Sequence, residues 1–186
     1  GDLISPRVLK RICVDAQQLS TCQEKIDFII EELDEEYPGR IIKNNRWIWN
    51  NNGGGMAQLK ILYASTDEYI ALWGTSIGNN GHSGRYNSDV FDVMFHGQMD
   101  VNILGSTKRY SFKPGSVAAL PRGVTKQYRI KEEGWMIDYG RAYSSVVSML
   151  PFAFADHAFS TLDYYEIMKM LHQYGKGTVR ELFKYG

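Results

Sequence analysis

The chain has 186 residues, of which 44% are hydrophobic and 23% charged, and this composition predicts one globular domain spanning residues 1–186. Lysine plus arginine and aspartate plus glutamate number 21 each, so the formal net charge is zero. A chain without a basic field has little to hold a phosphate backbone, which argues against nucleic-acid binding. No run of 18 or more apolar residues is present, so the sequence predicts no membrane span.

Residues 5–36 carry a helical pattern. Ser5 followed by Pro6 is typical of the start of a helix, because proline is tolerated in the first turn. The segment Thr21-Cys22-Gln23-Glu24 fits a capping box, which predicts that a second helix begins there. The Pro38-Gly39 pair ends this helical region.

From about residue 41 to residue 140 the pattern changes to short strand-like runs separated by turns. Turn signals recur every 8–12 residues or so, roughly the spacing expected of a β-sandwich or barrel. The segment Asn50-Asn51-Asn52-Gly53-Gly54-Gly55 is predicted to be a loop, since its residues tolerate positive φ angles.

The region from about residue 142 to residue 175 is predicted to be helical again. Residues 146–159 are mostly apolar but are interrupted by Pro151. A last helix with a broad apolar stripe follows Asp163, and Gly175 and Gly177 are expected to end it. Such helices either pack on the barrel or lie in a bilayer interface, and periodicity alone favours packing.

Two carboxylates interrupt apolar strand-like runs and are the strongest candidates for chemistry. Asp92 shares a strand face with Val90 and Met94, and Asp138 shares one with Met136. A single such acid is more often exposed on a half-buried strand, but two suggest a pair that converges inside one barrel. Two buried carboxylates tend to share one proton, which gives one acid and one base at neutral pH.

Other candidate motifs receive less support. Ser83 lacks the spacing of a nucleophile elbow, since Gly84 follows it directly. The four histidines show no HxH or HExxH spacing, so no metal site is predicted.

Several segments together resemble the family of C-8 sterol isomerases and the sigma-1 receptor. They occur in the order of that family across about three-quarters of the chain. These segments are Asn51-Asn52-Gly53-Gly54-Gly55-Met56, Ala64-Ser65 with Glu68-Tyr69, Gly74-Thr75-Ser76-Ile77-Gly78, Gly81-His82-Ser83-Gly84-Arg85-Tyr86, Tyr139-Gly140-Arg141, Met149-Leu150-Pro151-Phe152 and Phe159-Ser160-Thr161-Leu162-Asp163.

The resemblance implies a mainly β fold with flanking helices: a cupin-like β-barrel, N-terminal helices, and two C-terminal helices that face a membrane. It also implies a homotrimer in the endoplasmic reticulum membrane. The family's single N-terminal membrane span is not found in this sequence.

The resemblance also assigns roles to individual residues. In the sigma-1 receptor a barrel glutamate pairs with cationic amines, an aspartate hydrogen-bonds to it, and a tyrosine orients it. These roles fall on Asp138, Asp92 and Tyr69. Asp138 is one methylene shorter than the glutamate, which would alter ligand pose or proton-transfer geometry. Asp89 is a rival to Asp92 as the second acid.

Two functions follow from the resemblance. The first is an isomerase that moves a sterol double bond from the delta-8 to the delta-7 position with Asp138 and Asp92 as the catalytic carboxylates. It needs no cofactor, because the reaction is redox-neutral. The second is a non-catalytic protein that binds sterols or cationic amphiphiles. In either case we expect the ligand to contact a shared set of residues: Tyr69, Trp73, Met56, Ile61, Tyr86, Trp135 and Asp89.

Overall fold

The computed structural model describes residues 3–142 and 145–185, and this part of the chain contains four α-helices and ten β-strands. The helices are α1 (Pro6–Asp15), α2 (Cys22–Glu36), α3 (Leu150–Phe159) and α4 (Tyr164–Lys184). The strands are β1 (Ile48–Asn52), β2 (Gly55–Ala64), β3 (Glu68–Thr75), β4 (Asn79–His82), β5 (Ser88–Gly97), β6 (Met99–Ile103), β7 (Tyr110–Phe112), β8 (Val117–Leu120), β9 (Lys126–Ile130) and β10 (Gly134–Ala142). The prediction of a mainly β chain with flanking helices is confirmed. Residues 1, 2 and 186 of the predicted domain, and residues 143 and 144 at the start of the predicted C-terminal helices, lie outside the described residues.

The strands form two antiparallel sheets that face each other. The six-stranded sheet has the order β1-β2-β3-β10-β5-β8, and the four-stranded sheet has the order β4-β9-β6-β7. Met94 and Met136 of the first sheet pack against Met99 and Tyr128 of the second. No ladder between the described strands joins the two sheets, so the expected barrel is open rather than closed.

The two faces of the six-stranded sheet have different neighbours. Because side chains alternate along a strand, successive residues point to opposite faces. On β5, Val93 and Phe95 point toward the N-terminal helices and pack with Leu9 of α1. Val90 and Asp92, on the other face of the same strand, line a cavity. The apolar face therefore anchors the helices, while the opposite face is free to form a site.

The helix starts follow their sequence signals. Thr21 and Glu24 form the predicted capping box, in which each side chain accepts the other residue's backbone N–H. Pro151 lies in the first turn of α3, where its missing N–H costs no helical hydrogen bond. It therefore begins this α-helix, which follows the 3-10 turn Val146–Met149, rather than interrupting it.

The prediction that Gly175 and Gly177 end the last helix is wrong, because α4 continues to Lys184. Gly177 is instead a packing position: a Cβ there would lie 3.0 Å from the Cβ of Ala64 on β2. Because glycine has no side chain, α4 can approach the sheet closely at this position. Gly177 therefore allows helix–sheet packing and does not end the helix.

Strand β1 forms one edge of the six-stranded sheet, and its exposed N–H groups are bound by the C-terminal helices. The backbone N–H of Trp49 donates to Glu166 Oε2 at 2.9 Å, and that of Asn51 donates to His157 Nε2 at 2.9 Å. The predicted loop over residues 50–55 is thus mostly strand, with a turn only at its glycines. These contacts protect the edge strand and fix α3 and α4 over the sheet.

The C-terminal helices also expose apolar side chains. Phe159 and Phe183 are each 88% exposed, and Tyr165, Met168 and Leu162 are each more than 60% exposed. Within residues 3–142 and 145–185, no helix combines the length and apolar character needed to cross a membrane.

Candidate active site

A cavity lies between the two sheets and beneath the C-terminal helices. Its empty space is about 1100 Å³, part of which is open to solvent. Six strands, β1, β2, β3, β5, β9 and β10, contribute inward-facing residues from alternate positions, as their period of two requires. The lining from β2, β3 and the helices is mostly apolar or aromatic: Leu59, Ile61, Tyr69, Ala71, Trp73, Val146, Met149, Leu150, Phe152, Ala153, Met170 and Tyr174.

Asp92 and Asp138 lie directly opposite each other in this cavity. The antiparallel pairing of β5 with β10 places the two residues in register. Side chains in such pairs share a face, with Cβ atoms roughly 4.5–5.5 Å apart. The predicted convergence of two carboxylates is therefore present, on adjacent strands of one sheet.

Tyr69 holds Asp138 in place. Its hydroxyl donates a hydrogen bond of 2.9 Å to Asp138 Oδ1. The ring reaches this position because Gly140 leaves room for it: a Cβ on Gly140 would lie only 2.2 Å from Tyr69 Cε1. Among the described residues, none donates a hydrogen bond to the other oxygen, Oδ2, which can therefore meet a ligand or a proton.

Lys126 pairs with Asp92. Its Nζ lies 2.6 Å from Asp92 Oδ2, and the side chains are only 7% and 14% exposed, respectively. Lys126 begins β9, where it shares the inward face with Tyr128 and Ile130. The cavity therefore contains two acids and one buried cation.

The His-Ser-Gly-Arg-Tyr loop fixes Lys126 from outside the strand. The backbone N–H of Lys126 donates to Ser83 Oγ at 2.9 Å, and the Ser83 N–H donates to the Lys126 carbonyl at 3.0 Å. Gly84, with φ of 87°, permits the Tyr86 hydroxyl to donate to the Ser83 carbonyl at 2.7 Å. The serine that suggested a nucleophile in fact positions another side chain.

The electrostatic environment raises the pKa of Asp138. Burial and the neighbouring Asp92 raise the pKa of Asp138 from 3.8 to about 7, although the Tyr69 hydrogen bond and Lys126 act in the opposite direction. Burial raises the pKa of Tyr69 well above its ordinary value, so its hydroxyl remains a donor at neutral pH. Asp138 can thus hold or release a proton near pH 7.

The remaining predicted ligand-binding residues divide into two groups. Ile61, Trp73 and Tyr86 line the cavity, as expected. The Trp73 indole N–H donates to Asn50 Oδ1 at 2.9 Å, which fixes the ring beside Tyr128. These three positions surround the carboxylate pair.

The other three predicted residues lie away from the cavity. Trp135 is on the opposite face of β10 from Asp138 and packs edge-on against Trp47. Asp89 is on the opposite face of β5 from Asp92 and pairs with Arg141 at 3.5 Å. Met56 is the second residue of β2, on the face that does not line the cavity, and it is 49% exposed.

Lys126 is the charged cavity residue that the sequence analysis did not identify. A signal was available, since Lys126, Tyr128 and Ile130 alternate with Gln127 and Arg129 and therefore share the apolar face. Among the described residues, no group of three or more His, Cys, Asp or Glu side chains is arranged to hold a metal ion.

The chain is similar to proteins with two kinds of name, sterol isomerases and sigma receptors. Residues 3–185 match the family described as ERG2 and Sigma1 receptor like protein. The C-8 sterol isomerase erg2 of Aspergillus fumigatus is 34% identical over 160 residues, which are 86% of this chain and 66% of that protein. The sigma non-opioid intracellular receptor 1 of Xenopus tropicalis is 36% identical over 155 residues, which are 82% of this chain and 69% of that protein.

The aligned region thus spans about two thirds of the length of these two relatives. Among solved structures, an RmlC-like cupin from Shewanella frigidimarina is similar with a TM-score of 0.46 at 16% identity, covering 54% of this chain and 88% of that chain. The match over residues 3–185 and the two relatives establish that this chain belongs to the ERG2 and Sigma1 receptor like protein family.

Proposed function

We propose that this protein is an isomerase that moves a sterol ring double bond from the delta-8 to the delta-7 position. The observation that carries the proposal is the pair of carboxylates, Asp92 and Asp138, in register on adjacent strands and facing an apolar cavity. The isomerisation adds a proton at C9 and removes one from C7, the two carbons that flank C8, so it requires an acid and a base in one site.

The reaction proceeds in two proton transfers. One carboxyl group protonates C9, and the electrons of the C8–C9 double bond form the new C–H bond, which leaves a carbocation at C8. The other carboxylate then removes a proton from C7, and the C–H electron pair becomes the C7–C8 double bond. No oxidant, reductant or cofactor takes part.

The cavity favours the cationic intermediate. Fixed carboxylate charge in a water-poor site interacts more strongly with a developing cation than it would in water. The faces of Trp73 and Tyr128, packed at 5.7 Å in an edge-to-face arrangement, add aromatic surface to which a cation is attracted. The apolar lining from β2, β3 and α4 accommodates a rigid hydrocarbon skeleton.

A second candidate function is the binding of cationic amphiphiles without turnover. The supporting observation is that a protonated amine imitates the charge of the carbocation and would pair with the same Asp138 carboxylate. The relative from Xenopus tropicalis, which is named as a receptor, supports this alternative. Both functions use one site, and they differ only in whether product forms.

We further propose that the protein works on an endoplasmic reticulum membrane surface and assembles as a homotrimer. The exposed apolar side chains of α3 and α4, such as Phe159 and Phe183, support contact with lipid. Family membership supports the compartment and the trimer. Flotation with phosphatidylcholine vesicles tests lipid contact, and light scattering in detergent tests the trimer.

The test of the isomerase proposal is product analysis. The purified protein in vesicles is incubated with a delta-8 sterol, and the sterols are separated and identified. We expect delta-7 product from the natural sequence and at least about a hundredfold less from Asp138→Asn and Asp92→Asn. Binding of cationic amphiphiles with no delta-7 product would refute the isomerase and leave the binding protein.

A further inference from the structure

We infer that Lys126 is a positioning residue that assigns the two carboxylates their roles, holding Asp92 as the proton acceptor so that Asp138 is the proton donor. This inference rests on the proposed isomerase. The geometry behind it is the 2.6 Å contact between Lys126 Nζ and Asp92 Oδ2 inside the cavity.

The ion pair is built into the fold rather than formed by chance at the surface. Lys126 is 7% exposed, so its long side chain is confined among cavity residues. Ser83 holds its backbone through two hydrogen bonds, one in each direction. A cation this constrained does not exchange its partner for water, as surface lysines do.

The cation removes the symmetry of the carboxylate pair. Without it, two adjacent buried carboxylates would share a proton and either could act as the acid. The ammonium group stabilises the ionised form of Asp92, whereas Asp138 receives a hydrogen bond only from the neutral Tyr69 hydroxyl among the described side chains. The remaining proton therefore resides on Asp138. The pKa of about 7 for Asp138, raised by burial and by Asp92, agrees with this distribution.

With these roles, the net charge of the cavity stays zero throughout the catalytic cycle. Before reaction the cavity is neutral, with protonated Asp138, ionised Asp92 and the Lys126 cation. Proton transfer from Asp138 to C9 creates a carboxylate together with the carbocation, so the sum remains zero. Asp92 then takes the proton from C7. The proton passes from Asp92 to the adjacent Asp138 carboxylate, which restores the starting state.

The same arrangement of charges predicts how a cationic ligand binds in the cavity. Binding such a ligand to the natural protein requires Asp138 to release its proton. The other titratable side chains that line the cavity are His82 and the tyrosines Tyr69, Tyr86, Tyr128 and Tyr174. Burial raises the pKa of each of the four tyrosines, so none of them releases a proton near neutral pH. Measurements in a His82→Asn background exclude the imidazole.

The test compares Lys126→Met with the natural sequence. The probes are dodecyltrimethylammonium, whose charge does not vary with pH, and dodecan-1-ol, its uncharged counterpart. Titration calorimetry in buffers of different ionisation enthalpy gives both the affinity and the number of protons released. Lys169→Met is the matched control, because Lys169 forms a comparable 3.0 Å pair with buried Glu166 outside the cavity.

We expect the natural protein to release about half a proton at pH 7 on binding the ammonium probe. The pKa of Asp138 is about 7, so about half of the molecules carry this proton before the probe binds. Lys126→Met should release almost none, because the shared-proton pair already carries one negative charge. Its affinity for the ammonium probe should rise at least about tenfold, while dodecan-1-ol binding stays within threefold. Lys169→Met should match the natural protein in proton release and in its affinity for both probes.

Equal losses of affinity for both probes in Lys126→Met, or proton release in Lys126→Met equal to that of the natural protein, would overturn the inference. If natural protein forms no product but the ammonium probe behaves as expected, the isomerase proposal fails while the charge assignment stands. If Lys126→Met does not fold, the charge assignment is tested with the natural protein and with Lys126→Arg, which keeps the positive charge. Absence of proton release at pH 7 in the natural protein would then contradict the assignment.

Discussion

Replacing Tyr69 with phenylalanine removes one hydroxyl from the cavity and leaves both carboxylates in place. That hydroxyl donates the 2.9 Å hydrogen bond to Asp138 Oδ1. Because a donor stabilises the ionised carboxylate, this bond lowers the pKa of Asp138, against the larger effect of burial. Its loss must therefore raise the pKa of Asp138 above its value of about 7.

The size of the change follows from the energy of such a bond. A hydrogen bond to a charged group contributes about 1.5–3 kcal/mol, and one pH unit corresponds to about 1.36 kcal/mol. We therefore expect the pKa of Asp138 to rise by about one to two units in Tyr69→Phe. At pH 7 the ionised fraction would fall from about one half to between about 1% and 10%, so ammonium binding would weaken by about 5- to 50-fold.

The assay is the affinity for dodecyltrimethylammonium between pH 5.5 and 9.5. Affinity should increase with pH, because the ligand binds the ionised carboxylate, and the midpoint should move upward in Tyr69→Phe. Tyr86→Phe is the matched control: it removes a hydroxyl from the same cavity that donates to the Ser83 carbonyl instead of a carboxylate. A midpoint that is unchanged or lower in Tyr69→Phe, or equally shifted in both variants, would refute the reasoning.

Two further predictions concern stability. The folded pKa of Asp138, about 7, lies above its unfolded value of about 3.9, so this group makes the protein less stable as pH rises between those values. We therefore expect Asp138→Asn to stabilise the fold by up to about 4 kcal/mol at pH 8 but little at pH 4. Equal shifts of the urea midpoint at both pH values would contradict this. Gly177→Leu should destabilise the protein by about 1–3 kcal/mol, because the new side chain would collide with Ala64. Gly175→Ala should instead stabilise the helix by about 0.5–1 kcal/mol, because no atom lies within 4 Å of a Cβ at that position. Thermal unfolding that ranks the two glycine variants in the reverse order would show that α4 does not pack as described.

The carboxylate pair could be predicted from the sequence because strands alternate their faces. Asp92 and Asp138 each share a face with an apolar neighbour, and this pattern signals an acid directed into the interior. What the pattern does not contain is the pairing of β5 with β10, which puts the two acids in register. That contact depends on tertiary structure, and the resemblance to a known family supplied it.

The same alternation explains two errors. Trp135 and Asp138 are three residues apart on β10, and Asp89 and Asp92 are three apart on β5, so each pair points to opposite faces. A consistent count would have placed Trp135 and Asp89 on the faces opposite those of Asp138 and Asp92. Aromatic and acidic residues near a site are easily assigned to it by composition alone.

Lys126 and Gly177 were misjudged for a different reason. Lysine is usually solvated, so its residue type gives no indication that Lys126, the first residue of β9, lies in the cavity. Glycine usually ends a helix, but the interior of α4 uses Gly177 for close approach to β2. In both cases the tertiary environment outweighed the ordinary preference of the residue type.

The most direct test of the carboxylate mechanism is the fate of a solvent proton. The protein is incubated with a delta-8 sterol in deuterated water, and the delta-7 product is analysed by mass spectrometry and NMR. The cavity is partly open to solvent, so the Asp138 proton exchanges with deuterated water between turnovers, after product has left. We predict one solvent-derived deuterium at C9, and no labelled product from Asp138→Asn. Delta-7 product without deuterium at C9, or undiminished labelling in Asp138→Asn, would contradict proton donation by Asp138.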